Sequence, residues 1–185
     1  MAVLSSYLTD VQKSISPEGD SLRKTRPIMC NSDFEGLAPA RYLRHGTQPE
    51  VEAVIRDMPQ LSPYWAAGFS FSRGHFKVQV PYDAYQPMVF QGEEIAIGIR
   101  GFTYGYDFYA PRDSVVFHEY KGKSSRRQVI RKFEENTASH EGDERRSMRR
   151  SMSIIGMAPD VDPLTWDHDE VDKYGLGDGK LIPFA

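Results

Sequence analysis

The stretch from Pro63 to Tyr120 constrains this chain most: PYWAAGFSFSRGHFKVQVPYDAYQPMVFQGEEIAIGIRGFTYGYDFYAPRDSVVFHEY. It sets one helix-like segment among strand-like ones. From Glu93 to about Tyr104, Ile95, Ile99 and Phe102 recur at helical spacing, and Ala96 and Gly98 permit close packing. Gly92 suits the start of that helix, the acids of its first turn complement the helix dipole, and Gly105 suits its end. Trp65 to Ser72, bounded by Pro63 and Gly74, reads as a buried strand. Phe76 to Val80 alternates like an edge strand. Asp107–Tyr109 and Ser114–Tyr120 read as short strands separated by Pro111. The same stretch crowds glycine, aromatics, paired acids and a histidine. Glycine with aromatics suits backbone held close to a flat or ring-shaped ligand; paired acids suit chemistry or sugar hydroxyls.

The remainder is less dense. Residues 1–17 read as an amphipathic helix through Val3, Leu4, Tyr7, Leu8 and Val11, broken by Ser16-Pro17-Glu18-Gly19-Asp20. Residues 21–50 read as irregular, and Pro49 to Met58 as a helical turn with proline at its start. Helices are expected near Arg126–Asn136, Asp143–Ile155 and Asp167–Tyr174. Residues 121–150 hold ten Lys or Arg against five Asp or Glu, and residues 151–185 hold two against seven, so the two segments can fold against each other.

A chain of 185 residues suits one domain. Its net charge of −3 gives no bulk attraction to nucleic acid or an anionic membrane. A single cysteine, Cys30, excludes an internal disulfide and fits a reducing compartment. No apolar run approaches the roughly 20 residues that span a bilayer. The N-terminus lacks the basic and apolar regions of a signal peptide.

Each candidate site residue has an ordinary structural reading beside the functional one. Consecutive helical residues point about 100° apart, so Glu93 and Glu94 cannot face one spot equally. Glu94 flanks the Ile95/Ile99/Phe102 face and Glu93 lies roughly opposite. A carboxylate beside an apolar face can act as a tuned base or hold a sugar hydroxyl; it can equally be a charged first turn. His118, at a strand end, can ligate a metal or be a hydrogen-bonded structural histidine. Trp65–Ser72 can present small residues to a ligand or merely pack under a helix. Pro81-Tyr82-Asp83 is turn chemistry first. Arg145-Arg146-Ser147-Met148-Arg149-Arg150 can grip a diphosphate or nucleic acid, or be a solvated helix face.

Taken in order, WAAGFSFS, PYD, VFQGEEI, R-x-x-T-x-GYDFYAP and FHEY resemble the C-terminal part of the hydroxyproline N-acetylglucosaminyltransferases, glycosyltransferase family 60. The likeness covers Pro63–Tyr120. It continues more loosely through Phe133-Glu134-Glu135-Asn136, His140 and Ile154-Ile155-Gly156-Met157, with Pro27-Ile28-Met29-Cys30 upstream. It implies an α/β fold of GT-A type. Residues 1–125 would form the acceptor side and 126–185 a helical extension packed on the same domain. It also implies a UDP-GlcNAc donor, a divalent metal (Mn²⁺ or Mg²⁺), retention at the anomeric carbon and a cytoplasmic enzyme. The acceptor would be a protein hydroxyl, for instance on a ubiquitin-ligase adaptor subunit, with neither nucleic acid nor membrane as partner.

By the same resemblance, Glu93 and Glu94 would be catalytic. Gly92 and the groove residues Trp65, Ala67, Gly68, Phe69 and Ser70 would lie under the sugar, Tyr106, Asp107 and Tyr109 would shape the wall, and His118 would be a late metal ligand. No Asp-x-Asp or Asp-x-His motif stands ahead of Trp65. Asp160-Val161-Asp162 and Asp167-His168-Asp169 come after His118 and read as surface caps. The resemblance therefore implies that the nucleotide-binding half is largely missing. The chain is expected to be a truncated transferase or a non-catalytic protein- or sugar-binding remnant of one.

Overall fold

The computed structural model describes residues 1–11, 14–20, 25–27, 29, 31–36, 41–46, 50–52, 58–90, 92–120, 140–157 and 161–177. Strands β1 (Ala2–Ser6) and β2 (Thr9–Asp10) open the chain. They are followed by β3 (Thr25–Pro27), β4 (Ser32–Glu35), β5 (Tyr42–His45), β6 (Glu50–Glu52), β7 (Gln60–Ser62) and β8 (Phe69–Phe71). Helix α1 (His75–Gln79) and helix α2 (Glu93–Thr103) precede β9 (Asp107–Ala110) and β10 (Phe117–His118). Helix α3 (Glu141–Ile154), a 3₁₀ turn at Pro163–Thr165 and the short helix α4 (Val171–Tyr174) complete the described elements.

The main sheet has four strands in the order β7-β9-β1-β8. β1 runs parallel to β9 and antiparallel to β8, while β9 is antiparallel to β7. Three two-stranded pairs, β10-β2, β3-β6 and β4-β5, surround it. The architecture is mixed α/β, consistent with a glycosyltransferase-like fold.

Helix α2 joins two cores. On one side Ile97 packs with Val3, Trp65, Phe76, Tyr106 and Phe108. On the other, Ile95 and Ala96 meet Leu43, Met148, Met152 and Ile155. Glycine makes the first contact possible: a Cβ on Gly101 would lie 2.6 Å from Phe108 Cζ. Gly92, with φ +88°, turns the chain into the helix through a conformation that costs other residues energy. Tyr104 caps the far end and Gly105 leaves it with φ +83°.

Helix α2 and α3 match their expected spans, and the Ser16–Asp20 break is a turn in which Ser16 Oγ accepts from the Glu18 and Asp20 N–H groups. Elsewhere the structure corrects the sequence reading. The described residues among 1–17 do not form a helix. β1 gains ladder partners on both edges, and Val3 is 0% exposed; such pairing outweighs a local periodicity. Phe76–Gln79 is helical, not extended, and Val80 caps it. Phe76 and Val80 are buried four residues apart, while Val78 between them is 79% exposed. Residues 21–50 contain strands β3, β4 and β5. Glu50–Glu52, read as part of a helical turn, pairs with β3. The expected strand Trp65–Ser72 is extended only over Phe69–Phe71; Trp65 and Ala66 are buried but irregular. Ser114–Tyr120 is extended only at Phe117–His118, and the last helix only over Val171–Tyr174. The helix expected at Arg126–Asn136 lies outside the described residues.

Of the two oppositely charged C-terminal segments, Arg150 reaches Asp167, whose Oδ1 lies 4.0 Å from its Nη1. Arg150 is 0% exposed; its Nε donates to Asp83 Oδ2 at 2.7 Å and its Nη1 to the Asp167 carbonyl at 2.6 Å. Asp83 also accepts from the Tyr85 N–H and from Gln86 Nε2. Removing one member of a buried pair strands the other charge. Arg150→Ala is therefore expected to cost about 3–5 kcal/mol in chemical denaturation. Arg150→Met with Asp83→Leu is expected to cost clearly less, which a two-variant unfolding comparison checks.

Candidate active site

The start of α2 presents Glu93 and Glu94 differently. Glu94 is fully engaged: Tyr7 donates its hydroxyl to Oε2 at 2.8 Å, and the Ala67 backbone N–H donates to Oε1 at 2.7 Å. His45 Nε2 lies 4.0 Å from Oε2 and donates to the Trp65 carbonyl at 3.0 Å. Edge contacts with Tyr7 and Tyr64 hold the imidazole, and its buried Nδ1 has no hydrogen-bond partner among the described residues. Glu94 thus ties α2 to the end of β1, to β5 and to the loop before β8.

Glu93 has neither a hydrogen bond nor an ion pair among the described residues. Burial raises its carboxyl above the usual carboxylate range, the neighbouring Glu94 raises it further, and Lys77 opposes both. Burial, followed by the two glutamates, likewise raises the Tyr82 phenol. Lys77 Nζ sits 4.7 Å from the centre of the Tyr82 ring. The Tyr7 phenol is pushed far above its ordinary range, first by burial and then by Glu94, so it remains a donor at any working pH.

Beside Glu93, under Tyr82, Asp83 and Arg100, lies a cavity of about 40 Å³. Ser151 Oγ and Arg100 Nη2 are buried there without a partner among the described residues. A polar space of that size suits water rather than a sugar ring. The carboxylate and the Tyr82–Lys77 pair therefore have to meet any sugar from the outer side.

The other expected site residues divide by exposure. Ala67 and Gly68 are exposed, and a Cβ on Gly68 would press on Leu8 at 3.1 Å. Phe69 is half-buried and pairs with Ser6. Trp65 is 1% exposed, with its indole N–H donated to Ser70 Oγ at 2.8 Å, so it supports the Ala67–Gly68 surface from below. Tyr106 is also 1% exposed: its ring packs on Phe76, and its hydroxyl is shared between His75 Nδ1 and Gln79 Oε1. It cannot touch a ligand in this arrangement and acts as core. Asp107 is exposed at the start of β9.

His118 is exposed, tilted against Tyr120, and sits beside Asp10 in the parallel β2–β10 register. Among the described residues, no group of three or more His, Cys, Asp or Glu side chains gathers around it or elsewhere. The described residues therefore do not complete a metal centre. Sequence reasoning missed Tyr7, read as part of a helix face, and His45, which carries no local motif; only the pairing of Ser32 with His45 across β4 and β5 delivers it.

A family model described as Glycosyltransferase (GlcNAc) matches residues 1–182. The chain belongs to that family, and its activity is that of a transferase of N-acetylglucosamine. Comparison with curated proteins and with solved structures gave no match. None of the helices among the described residues is long and apolar enough to cross a membrane.

The two glutamates are expected to respond oppositely to mutation. Glu94→Ala removes the acceptor of a half-buried phenol and of an exposed backbone N–H, which water can partly replace, and should lower stability by about 1–2 kcal/mol. Glu93 has a raised carboxyl, so its charge opposes folding above the folded-state pKa and is absent below the unfolded one. Glu93→Gln should accordingly raise Tm near pH 7, and the gain should vanish as pH falls to about 4. Thermal melts across that range check both.

Proposed function

We propose that the chain transfers N-acetylglucosamine from UDP-GlcNAc to a protein hydroxyl of the hydroxyproline type, with retention of configuration. The class follows from the family; the mechanism rests on one observation. The Glu94 carboxylate is consumed by Tyr7 and Ala67, whereas Glu93 keeps a partly desolvated carboxyl with no hydrogen-bond or ion-pair partner among the described residues.

Glu93 is therefore the acting residue in this reading. It accepts a hydrogen bond from a sugar or acceptor hydroxyl at the mouth formed with Tyr82 and the exposed Ala67–Gly68 backbone. The acceptor oxygen attacks the anomeric carbon as the bond to UDP breaks. UDP leaves with the bonding pair, and the hydroxyl proton passes to the departing phosphate. A strong base is not required, so Glu93 acts by charge and hydrogen bonding rather than by taking the proton. Its negative charge favours the oxocarbenium-like state. Glu94 is a positioning residue that fixes the first turn of α2.

Metal dependence, through Mn²⁺ or Mg²⁺ with His118 as one ligand, is part of the proposal. The described residues do not complete that site, so no step is routed through the ion. A protein acceptor, including an adaptor subunit of a ubiquitin ligase, and a cytoplasmic setting are proposed on the resemblance alone.

UDP-GlcNAc hydrolysis, and transfer to hydroxyproline and proline peptides, test the reading. Glu93→Gln is expected to lower kcat about 100-fold or more without loss of Tm, the scale of one lost electrostatic contact to the transition state. His118→Ala should abolish the stimulation by Mn²⁺ or Mg²⁺. Full turnover in Glu93→Gln rejects its role. A wild-type protein that neither hydrolyses UDP-GlcNAc nor binds UDP with either ion leaves the non-catalytic binding remnant as the correct reading.

A further inference from the structure

The first turns of α3 and the loop after it enclose an open groove of about 460 Å³. Arg146 and Arg149 line one wall; Leu164, Thr165 and Trp166 line the other. Residues three apart share a helix face. Neither arginine has a hydrogen-bond or ion-pair partner among the described residues, unlike the neighbouring Arg150. A second depression of about 200 Å³, lined in part by Tyr85, Pro87, Asp143 and Ser147, shares Arg146 and Asp167 with the first. The two form one trough.

The wall opposite the arginines is built rather than loose. Asp162 accepts from the Leu164 N–H at 2.9 Å, and its carbonyl accepts from Thr165 Oγ1 at 2.6 Å. His168 donates to the Pro163 carbonyl at 2.6 Å and stacks on Trp166 with ring centres 3.6 Å apart and planes 26° apart. The grip of Arg150 on the Asp167 carbonyl fastens this loop to α3. Bonds within this loop and its tie to α3 thus set the separation of the walls.

The chemistry favours an extended anionic chain. Small ligands bury most of their surface in the pockets that bind them, whereas this trough is open and places Leu164, 93% exposed, at its rim. One face of Trp166 is already covered by His168, which leaves less for a nucleobase to stack on. Two carboxylates also line the trough, but Asp143 bonds His140, and Asp167 accepts from the Asp169 N–H and lies 4.0 Å from Arg150 Nη1, so attraction of an anion comes from Arg146 and Arg149. We propose that this trough docks an acidic, partly apolar segment of the acceptor protein. Carboxylates pair with Arg146 and Arg149, and an apolar side chain rests against Leu164 and Trp166. The identification of the partner as the acceptor rests on the transferase reading; the binding chemistry does not.

The test uses the whole chain and a fluorescein-labelled Glu-Leu-Glu-Glu-Leu-Glu peptide, read by fluorescence anisotropy, with a Lys-for-Glu peptide as control. The acidic peptide should bind, weaken as salt rises, and lose about ten-fold or more in affinity in Arg146→Glu/Arg149→Glu, since like charges face each other there. Arg146→Gln/Arg149→Gln should lose less, and it guards against a folding defect, with Tm measured for both. Equal affinity in the wild type and both double variants overturns the proposal, as does equal binding of the lysine peptide. Displacement of the peptide by excess UDP, with UDP binding lost in the same variants, overturns it in favour of a nucleotide site. UDP-GlcNAc hydrolysis is followed separately. Its absence in the wild type sinks the transferase reading and leaves peptide binding standing, whereas failed peptide binding with hydrolysis intact sinks only this inference.

Discussion

Burial of α2 between two cores is the constraint on which the rest depends. A helix packed on one side only can rotate or slide; α2 has Val3, Trp65 and Phe108 on one flank and Leu43, Met148 and Met152 on the other. Gly101 lets the sheet approach as near as an aromatic edge allows, and Gly92 starts the helix against Leu43 and Met148. The direction of the first turn is thereby fixed by packing at both ends of the helix. That is why two adjacent glutamates of identical chemistry end in unlike places: one faces the Tyr7 hydroxyl and the Ala67 N–H, and the other faces Tyr82 and Lys77. The difference is set by the 100° step of the helix and by what each flank holds.

The same packing explains what the sequence disclosed and what it did not. α2 was legible because its period, its glycine boundaries and its first-turn acids all agree, and α3 because a long charged segment carries apolar residues at helical spacing. β1 was not legible. Val3, Leu4, Tyr7 and Leu8 satisfy a helical period, and nothing local reveals that β9, more than a hundred residues later, supplies a parallel partner. α1 failed in the opposite sense, since Phe76, Val78 and Val80 alternate although only the first and last are buried. Of the candidate site, Glu93 and Glu94 were readable as a pair, but the difference between their surroundings was not. It depends on Tyr7 and Ala67, which reach Glu94 over separations of 87 and 27 residues. Trp65 and Tyr106 were singled out as site residues because aromatics beside glycine suit a ligand; their burial makes them the support beneath that surface.

Two buried arginines account for the remaining geometry. Arg100 of α2 donates to the Pro81 and Gly175 carbonyls, and Arg150 of α3 donates to Asp83 and to the Asp167 carbonyl. Burial lowers the Arg100 pKa, with Asp83 opposing the shift. Burying two guanidiniums around one carboxylate is a poor route to stability, because desolvation consumes most of the Coulombic gain. Its effect is positional. Apolar contacts hold a loop at roughly the right depth, whereas directed donors on backbone carbonyls fix which residue lies where. The Pro81–Met88 loop and the Asp167–Gly175 loop are both located in this way, one donor coming from α2 and another from α3. Asp83, beside Glu93, and Asp167, between the two depressions of the trough, are therefore held by the same side chain, Arg150. Arg150 thereby links the loop beside the candidate active site to the loop that walls the trough, while the sheet and α2 hold the Ala67–Gly68 side of that mouth.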